Sequence, residues 1–303
     1  MTSNNLGAMS KLAPLRQTFD YLVVGAGASG LAFLDTLLLS HPRARELRVA
    51  LVDPHTAPGG HWNDDYAFVR LHQAADNYGV QSDALEDGVE DAERRATRTH
   101  ILAYYERVLQ RHMASGSVEF FAGMRYDFAS GALADAETGE ACGDGAPLKC
   151  DTLVDARYTQ NDVPSNTPPR FRFNPERVHV VPVNALSAAE KGEEKEKEKE
   201  EDERLHYVVV GGGKTGQDTI LHLLTEKHVA PENIMWIVPN DFWITARDPP
   251  DGKMDTCTEF LALANATTKA SISSPEYIQT TFEELERRGK VYRFDQTVRP
   301  TKF

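Results

Sequence analysis

The sequence has little cysteine and no paired-cysteine motif. Its 303 residues include only Cys142, Cys150 and Cys257, and no two of these form a CxxC pair. This excludes the dithiol chemistry of disulfide reductases and gives no evidence of a zinc site, so no metal is predicted. An odd number of cysteines without framework spacing is typical of a reducing compartment.

Long apolar runs and excess positive charge are also missing. Residues 1–17 contain no apolar core of signal-peptide length, and no stretch is long enough to span a membrane, so we expect a cytoplasmic protein without a membrane partner. The net charge of -13 disfavours a nucleic-acid partner because like charges repel. No GxSxG, HExxH or P-loop motif occurs, so no catalytic side chain is assigned and a bound cofactor is expected to carry the chemistry.

A first glycine-rich turn follows a short apolar run. The strand pattern of residues 19–24 leads into a GxGxxG motif, and the apolar residues of 28–39 recur at helical spacing. This pattern is typical of a dinucleotide site, in which the glycines allow a tight turn and a close approach to a pyrophosphate at a helix N-terminus. Asp53 ends the next predicted strand and is placed to accept hydrogen bonds from a ribose hydroxyl. The predicted cofactor-binding residues here are Gly25, Ala26, Gly27, Ala28, Ser29, Gly30 and Asp53.

A second turn of the same type follows residues 206–210. We predict that Gly211, Gly213 and Gly216 repeat the three glycine roles, with Lys214 and Thr215 inside the motif. Lys214 either adds a point charge to the phosphates or is a solvent-facing lysine of the first helical turn. No arginine stands at the end of the next strand to hold a 2′-phosphate, but Arg247 is close by in sequence, so the choice between NADPH and NADH stays open at this point.

Further segments resemble the flavin-containing monooxygenases and related FAD/NAD(P)-binding oxidoreductases. The sequence after Asp53 contains Gly59-Gly60-His61-Trp62, which looks like the GGxW segment of that family. The resemblance implies that this segment runs beside a flavin and that the backbone of Met124 meets the adenine. By this resemblance, the residues that contact FAD outside the glycine turn are Gly60, His61, Trp62, Arg70, Gln73 and Met124.

The chain departs from the family pattern in three places. Ala156-Arg157-Tyr158 stands where the family usually has ATG, and no FxGxxxH segment precedes the second glycine motif. The chain also ends at Phe303, about where the family's C-terminal return to the flavin domain would begin. The resemblance implies that this return segment is lacking and that the flavin would be more exposed without it.

The fold class predicted is α/β, with two Rossmann-like dinucleotide-binding domains for FAD and NAD(P), built as three-layer parallel sheets with a small β-meander. The strand predictions include residues 178–183, and further helices are expected near 256–266 and 275–288. The predicted divisions are a flexible tail at 1–18, an FAD-binding domain at 19–163, an NAD(P)-binding domain at 164–303 and a charged low-complexity insertion at 189–204.

These expectations lead to three functional hypotheses. The first is an FAD-dependent, monooxygenase-like oxidoreductase in which NADPH or NADH passes hydride to the flavin, and O2 then reacts to oxygenate a small organic substrate. The second is a flavin reductase or dehydrogenase without oxygen insertion. The third is a truncated, non-catalytic dinucleotide-binding protein, which the early end of the chain and the Ala-Arg-Tyr segment favour.

Overall fold

A computed structural model of the chain describes most of its two glycine-motif regions. The described residues are 18–71, 75, 78–85, 95–142, 145–157, 165, 167–169, 171–188, 206–238, 241–245, 275–295 and 297. The chain divides into two compact units, Met1–Glu193 and Glu194–Phe303. The domain limits of 163 and 164 stay a prediction.

The first unit contains most of the described elements. In chain order they are β1 (Thr18–Val24), α1 (Ala28–Ser40), β2 (Val49–Asp53), β3 (Gly79–Val80), β4 (Asp83–Ala84), α2 (Arg98–Ala114), β5 (Val118–Ala122), β6 (Met124–Tyr126), β7 (Leu133–Asp135), β8 (Lys149–Asp155) and α3 (Val183–Ala188). Short 3-10 helices cover Ala44–Glu46 and Gly60–Asn63.

Four parallel strands form the central sheet of this unit. Their order is β5-β2-β1-β8, with Val24 opposite Val52 on one side and opposite Asp155 on the other. The chain leaves β1 toward β2 and later returns to the opposite side of β1. In such sheets, the crevice at the carboxyl ends of the strands where the order reverses is the usual ligand site.

The sheet is covered on both faces, which makes three layers. On one face, side chains such as Val23 and Leu51 pack in a cluster with Leu31, Leu34 and Val108 of the two long helices. On the other face, five strand residues form a second cluster with Leu148 and with Leu133 of the β6–β7 hairpin. These strand residues are Phe19, Leu22, Val24, Ala50 and Val52. Strands buried on both faces explain the continuous apolar runs that the sequence shows. The predicted α/β class with a small β-meander is confirmed.

The second unit is built from β9 (Tyr207–Val210), α4 (Lys214–Thr225), β10 (Ile234–Ile237), β11 (Ile244–Thr245), α5 (Pro275–Arg287) and β12 (Val291–Tyr292). β9 and β10 are parallel, whereas β11 and β12 are antiparallel. The β9–α4–β10 order repeats the β1–α1–β2 order of the first unit.

One predicted strand is wrong. Residues 178–182 form no strand, and α3 begins at Val183. Pro182 lacks the N–H that a strand ladder needs, and its carbonyl instead accepts a hydrogen bond from Ala185 N at 3.0 Å. A proline before the first helical turn fits the start of a helix better than the middle of a strand. The predicted helix at 256–266 and residues 189–204 of the charged run lie outside the described residues.

No helix in the described part of the chain combines the length and apolar character that crossing a membrane requires.

Asp35 is the most fully buried charge in the described core, with no exposed surface. Its carboxylate accepts hydrogen bonds from Ser82 N at 3.0 Å, from the Ser82 hydroxyl and from Arg111 at 3.5 Å, and it pairs with His112 Nε2 at 3.0 Å. These bonds join α1, the β3–β4 turn and α2. Burial lowers the pKa of His112 despite this contact.

We expect Asp35→Ala to lower the free energy of unfolding by about 3 kcal/mol, because it leaves several buried donors without an acceptor. Urea denaturation followed by circular dichroism measures the change. Glu46→Ala is the matched control, since Glu46 pairs with Arg43 at 4.0 Å on the exposed surface and its removal should change stability by less than about 0.5 kcal/mol. Equal effects of the two substitutions would contradict the assignment of Asp35 as a core anchor.

Candidate functional site

The first glycine turn lies at the carboxyl end of β1, in the crevice beside β8. Gly25 has a φ of +112°, which favours glycine, and its N–H donates to Val52 O at 2.8 Å. A Cβ on Gly25 would stand 2.8 Å from Ala156 O, and a Cβ on Gly30 would overlap Gly25 O. The missing side chains therefore let α1 start directly on the turn and let β8 end against it.

The N-terminus of α1 follows this turn without a side-chain cap. Gly27 is the N-cap residue, and the first turn, which contains Ala28 and Ser29, has no acidic residue. First-turn N–H groups lack intrahelical acceptors and carry partial positive charge, so such a helix end favours an anion. The predicted pyrophosphate contacts thus lie at a helix end whose chemistry fits them.

The Gly59-Gly60 segment packs directly on the first turn. Gly59 N donates to Ala26 O at 2.8 Å, and a Cβ on Gly60 would stand 2.9 Å from the Cα of Gly27. The structure therefore brings together two sets of residues that are separated in sequence but were both predicted to contact one cofactor. A side chain at Gly60 would push the two segments apart, so their contact depends on the glycines.

Asp53 ends β2 next to the first glycine turn and is only 3% exposed. One carboxylate oxygen accepts from Ala26 N at 2.6 Å. The other accepts from His55 N at 2.9 Å and contacts His55 Nδ1 at 2.7 Å. Asp53 therefore ties the end of β2 to the glycine turn, and its contact with a ribose hydroxyl stays a prediction.

The remaining predicted flavin-side residues have different environments. Trp62 is buried at 6% exposure, and its indole donates to the hydroxyl of Tyr78 at 2.8 Å. His61 and Arg70 are exposed. Met124 begins β6, and its sulfur lies 3.1 Å from the Cys142 sulfur. Trp62 is therefore a buried core side chain rather than an exposed side chain of the site. Gln73 lies outside the described residues.

Two residues of this site were missed by the sequence reading. Arg98, the first residue of α2, donates to Trp62 O and Asn63 O at 2.6 Å each and so holds the end of the 60–63 helix. His55 joins Asp53 to Asp64. The only signal for either was a polar residue near a predicted element end, which does not distinguish these two from other surface residues.

The second turn repeats the backbone geometry of the first. Gly211 has a φ of +123°, its N–H donates to Ile237 O at 2.8 Å, and a Cβ on Gly216 would overlap Gly211 O. Gly213 is the N-cap of α4, which has no side-chain cap and no acidic first turn. Trp236 Nε1 donates to Gly211 O at 2.8 Å and steadies the turn from β10.

Lys214 and Thr215 occupy the first turn of α4. Lys214 forms an ion pair with Asp218 one turn later on the same helix, so its charge is already partnered. The carbonyl of Thr215 accepts a hydrogen bond from Thr219 Oγ1 at 2.7 Å. Of the two roles left open for Lys214, its role as a phosphate ligand stays a prediction.

The two sites differ at the end of the second strand. Gly25 N bonds Val52 O and Gly211 N bonds Ile237 O, so Val238 occupies the register position of Asp53. A Cβ on Gly212 would stand 2.6 Å from Val238 Cγ1, at the position equivalent to the Ala26–Asp53 bond. The second site therefore has an apolar contact where the first has a buried carboxylate.

Among the residues that the structure describes, no group of three His, Cys, Asp or Glu side chains could hold a metal ion.

The glycines of the second turn offer a matched test of fold and binding roles. We expect Gly216→Ala to lower the free energy of unfolding by about 1–3 kcal/mol, because its Cβ overlaps backbone. Gly213→Ala meets nothing within 4 Å, so it should leave stability within about 1 kcal/mol yet weaken nucleotide binding by blocking approach of the pyrophosphate. Thermal unfolding and NADPH fluorescence titration measure the two effects. Unchanged NADPH affinity in a folded Gly213→Ala variant would contradict the site.

Comparison with known proteins agrees with this geometry. Residues 22–116 match a family model described as FAD-NAD(P)-binding, which confirms the predicted resemblance and the predicted FAD and NAD(P) cofactor class. Uncharacterized proteins of Mycobacterium tuberculosis and Mycobacterium bovis are each 34% identical over 293 residues, covering 94% of this chain and 50% of their own length. The chain thus spans about half the length of the curated relatives it matches.

Solved structures similar to this chain include a monooxygenase and a disulfide reductase. A flavin-containing monooxygenase from Stenotrophomonas maltophilia has 17% identity and a TM-score of 0.45, covering 73% of this chain and 58% of that one. The bacillithiol disulfide reductase of Staphylococcus aureus has 14% identity and a TM-score of 0.43, covering 82% of this chain and 64% of that one.

Proposed function

We propose that this chain, whose residues 22–116 match the FAD-NAD(P)-binding family, is an FAD-dependent oxidoreductase that uses NADPH and acts on a small organic substrate in the manner of a monooxygenase. The observation that carries the proposal is the pair of glycine turns. Both turns have the same backbone geometry at a strand–helix junction, but they differ at one position, Asp53 in the first and Val238 in the second.

The first turn is proposed to hold FAD. Gly27 and Gly60 pack backbone against backbone, which brings the Gly60 segment beside the first glycine turn, and the uncapped start of α1 supplies N–H donors for the pyrophosphate. Asp53 would accept a hydrogen bond from the adenosine ribose, using lone pairs that its bonds to Ala26 and His55 leave available. Bound FAD would supply hydride acceptance and oxygen chemistry, while the described side chains bind and orient it.

The second turn is proposed to hold NADPH rather than NADH. A carboxylate at the end of the second strand accepts bonds from ribose hydroxyls and repels a 2′-phosphate, which is why NAD-binding sites carry one. Val238 neither accepts these bonds nor adds negative charge. At this position the site therefore has neither the hydrogen-bond acceptor that would favour NADH nor the negative charge that would repel the 2′-phosphate of NADPH.

The monooxygenase assignment is supported by the Gly59-Gly60-His61-Trp62 segment. This segment resembles the flavin-side segment of the flavin-containing monooxygenases. Its position is consistent with that role, since Gly60 lies against Gly27 of the first glycine turn. The relatives' names supply no substrate. Substrate-contacting loops vary within such folds, so the substrate is proposed only as a small organic molecule.

The proposed function is tested by purifying the protein, recording its visible absorption and titrating NADPH and NADH under air. We expect a flavin spectrum, NADPH oxidation faster than NADH oxidation, and oxygenated product when a panel of small amines, sulfides and ketones is added. NADPH oxidation matched only by peroxide or a reduced acceptor would indicate a flavin reductase instead. A colourless protein that FAD cannot reconstitute would refute the flavoenzyme proposal.

Nucleotide preference can be reversed at one residue. We expect Val238→Asp to weaken NADPH binding about tenfold and to strengthen NADH binding or leave it unchanged, because the new carboxylate repels the 2′-phosphate. Fluorescence titration of each reduced nucleotide measures the two dissociation constants. Val238→Thr is the matched control of similar shape without charge, and its ratio of constants should stay near that of the wild type. An unchanged ratio in Val238→Asp would contradict the proposed NADPH site.

A further inference from the structure

His55 contacts all three chain segments around the predicted adenosine end of the first site. Its Nδ1 lies 2.7 Å from the Asp53 carboxylate and its Nε2 lies 2.9 Å from the Asp64 carboxylate. Its backbone carbonyl accepts from Gly123 N at 2.8 Å, one residue before Met124. One residue thus connects the end of β2, the 60–63 helix and the β5–β6 junction.

Both ring nitrogens of His55 face carboxylate oxygens, so both must donate and the ring is an imidazolium. The hydrogen bond to Asp53 raises the pKa of His55 to about 9, burial opposes this rise, and the hydrogen bond to Asp64 adds to it. The imidazole side chain is only 25% exposed. At neutral pH the ring therefore keeps its charge and both bonds.

Each of these bonds constrains a part of the predicted FAD site. The bond to Asp53 leaves the other Asp53 oxygen directed at Ala26 N, 2.6 Å away in the glycine turn. The bond to Asp64 reaches the residue after the 60–63 helix, whose first residue, Gly60, lies against Gly27. Without the ring, a nearly buried carboxylate would lose its charged partner.

We propose that His55 is a positioning residue for FAD: its ring fixes the Asp53 carboxylate against the first glycine turn, and its second bond, to Asp64, makes a smaller contribution by holding the Gly60 segment beside it. The bond to Asp53 carries most of the effect because the Asp53 side chain is 4% exposed, whereas that of Asp64 is 74% exposed and its ion pair is screened by solvent. This proposal rests on the proposed function, since it assumes that FAD occupies the first site. His55 acts through Asp53 and Asp64 and need not touch the cofactor itself.

Two amide substitutions separate the two bonds. The amide nitrogen of asparagine lies close to the place of Nδ1, so His55→Asn keeps the donor to Asp53. The amide of glutamine reaches the place of Nε2, so His55→Gln keeps the donor to Asp64 and loses the one to Asp53. His100, exposed on α2, provides the matched control His100→Gln.

The experiment measures FAD dissociation constants of purified apoprotein by quenching of flavin fluorescence, with circular dichroism to verify folding. We expect His55→Gln to weaken FAD binding about tenfold, as removal of a charge-assisted hydrogen bond would. His55→Asn should recover most of that loss, and His100→Gln should bind like the wild type. Equal losses in the two His55 variants, or no loss in either, would overturn the proposal.

A thermodynamic cycle with Asp53→Asn tests whether His55 acts through Asp53. We expect His55→Gln to weaken FAD binding much less in the Asp53→Asn background than in the wild type, because the carboxylate it orients is already absent. Additive losses would overturn the proposal. If His55→Gln is unfolded, the same cycle is built with His55→Ala, which also removes the donor to Asp53, and additive losses there count equally against the proposal.

The outcomes also separate this proposal from the proposed function. Wild-type protein that binds no FAD would overturn both. Wild-type protein that binds FAD, together with a folded His55→Gln variant that binds it equally well, would overturn only the positioning role of His55.

Discussion

The first unit depends on the close backbone approach that Gly25 and Gly30 permit. A Cβ on Gly30 would overlap Gly25 O, and a Cβ on Gly25 would stand 2.8 Å from Ala156 O. These two missing side chains let α1 begin directly at the end of β1 and let β8 lie beside the same turn. Because the sheet order reverses at β1, this contact also creates the crevice that the proposed FAD site occupies.

The same type of glycine turn occurs in both units, but the residues around the two turns differ in polarity. In the first unit, Asp53 bonds the turn and is in turn held by His55. In the second unit, Val238 fills the equivalent position and Trp236 donates to Gly211 O. A buried carboxylate needs partners, so the first site carries a polar network around its turn, whereas the second relies on apolar packing. This difference underlies the proposed assignment of FAD and NADPH to the two turns.

Much of the fold followed from pattern. The strands and the helix around the first glycine motif, and the strand before the second, were predicted within a few residues, because buried parallel strands and amphipathic helices have strong periodic signals. The strand predicted at 178–183 was wrong because a short apolar run does not distinguish a strand from the approach to a helix, and Pro182 decided the outcome. The contact of Gly60 with Gly27 was not predicted, because the two glycines are distant in sequence and the resemblance implied only that the Gly60 segment runs beside the flavin.

The sequence by itself determined the α/β class, the two glycine turns and Asp53 as the residue that ends β2, because each depends on local spacing. Only the tertiary structure decided that Asp53 is bonded by Ala26 and His55, that Trp62 lies in the core, and that Val238 is the counterpart of Asp53. Those facts depend on the register between strands and on contacts between segments far apart in the chain. Strand register and long-range contacts produce no periodic pattern in the sequence, so only the structure could identify these facts.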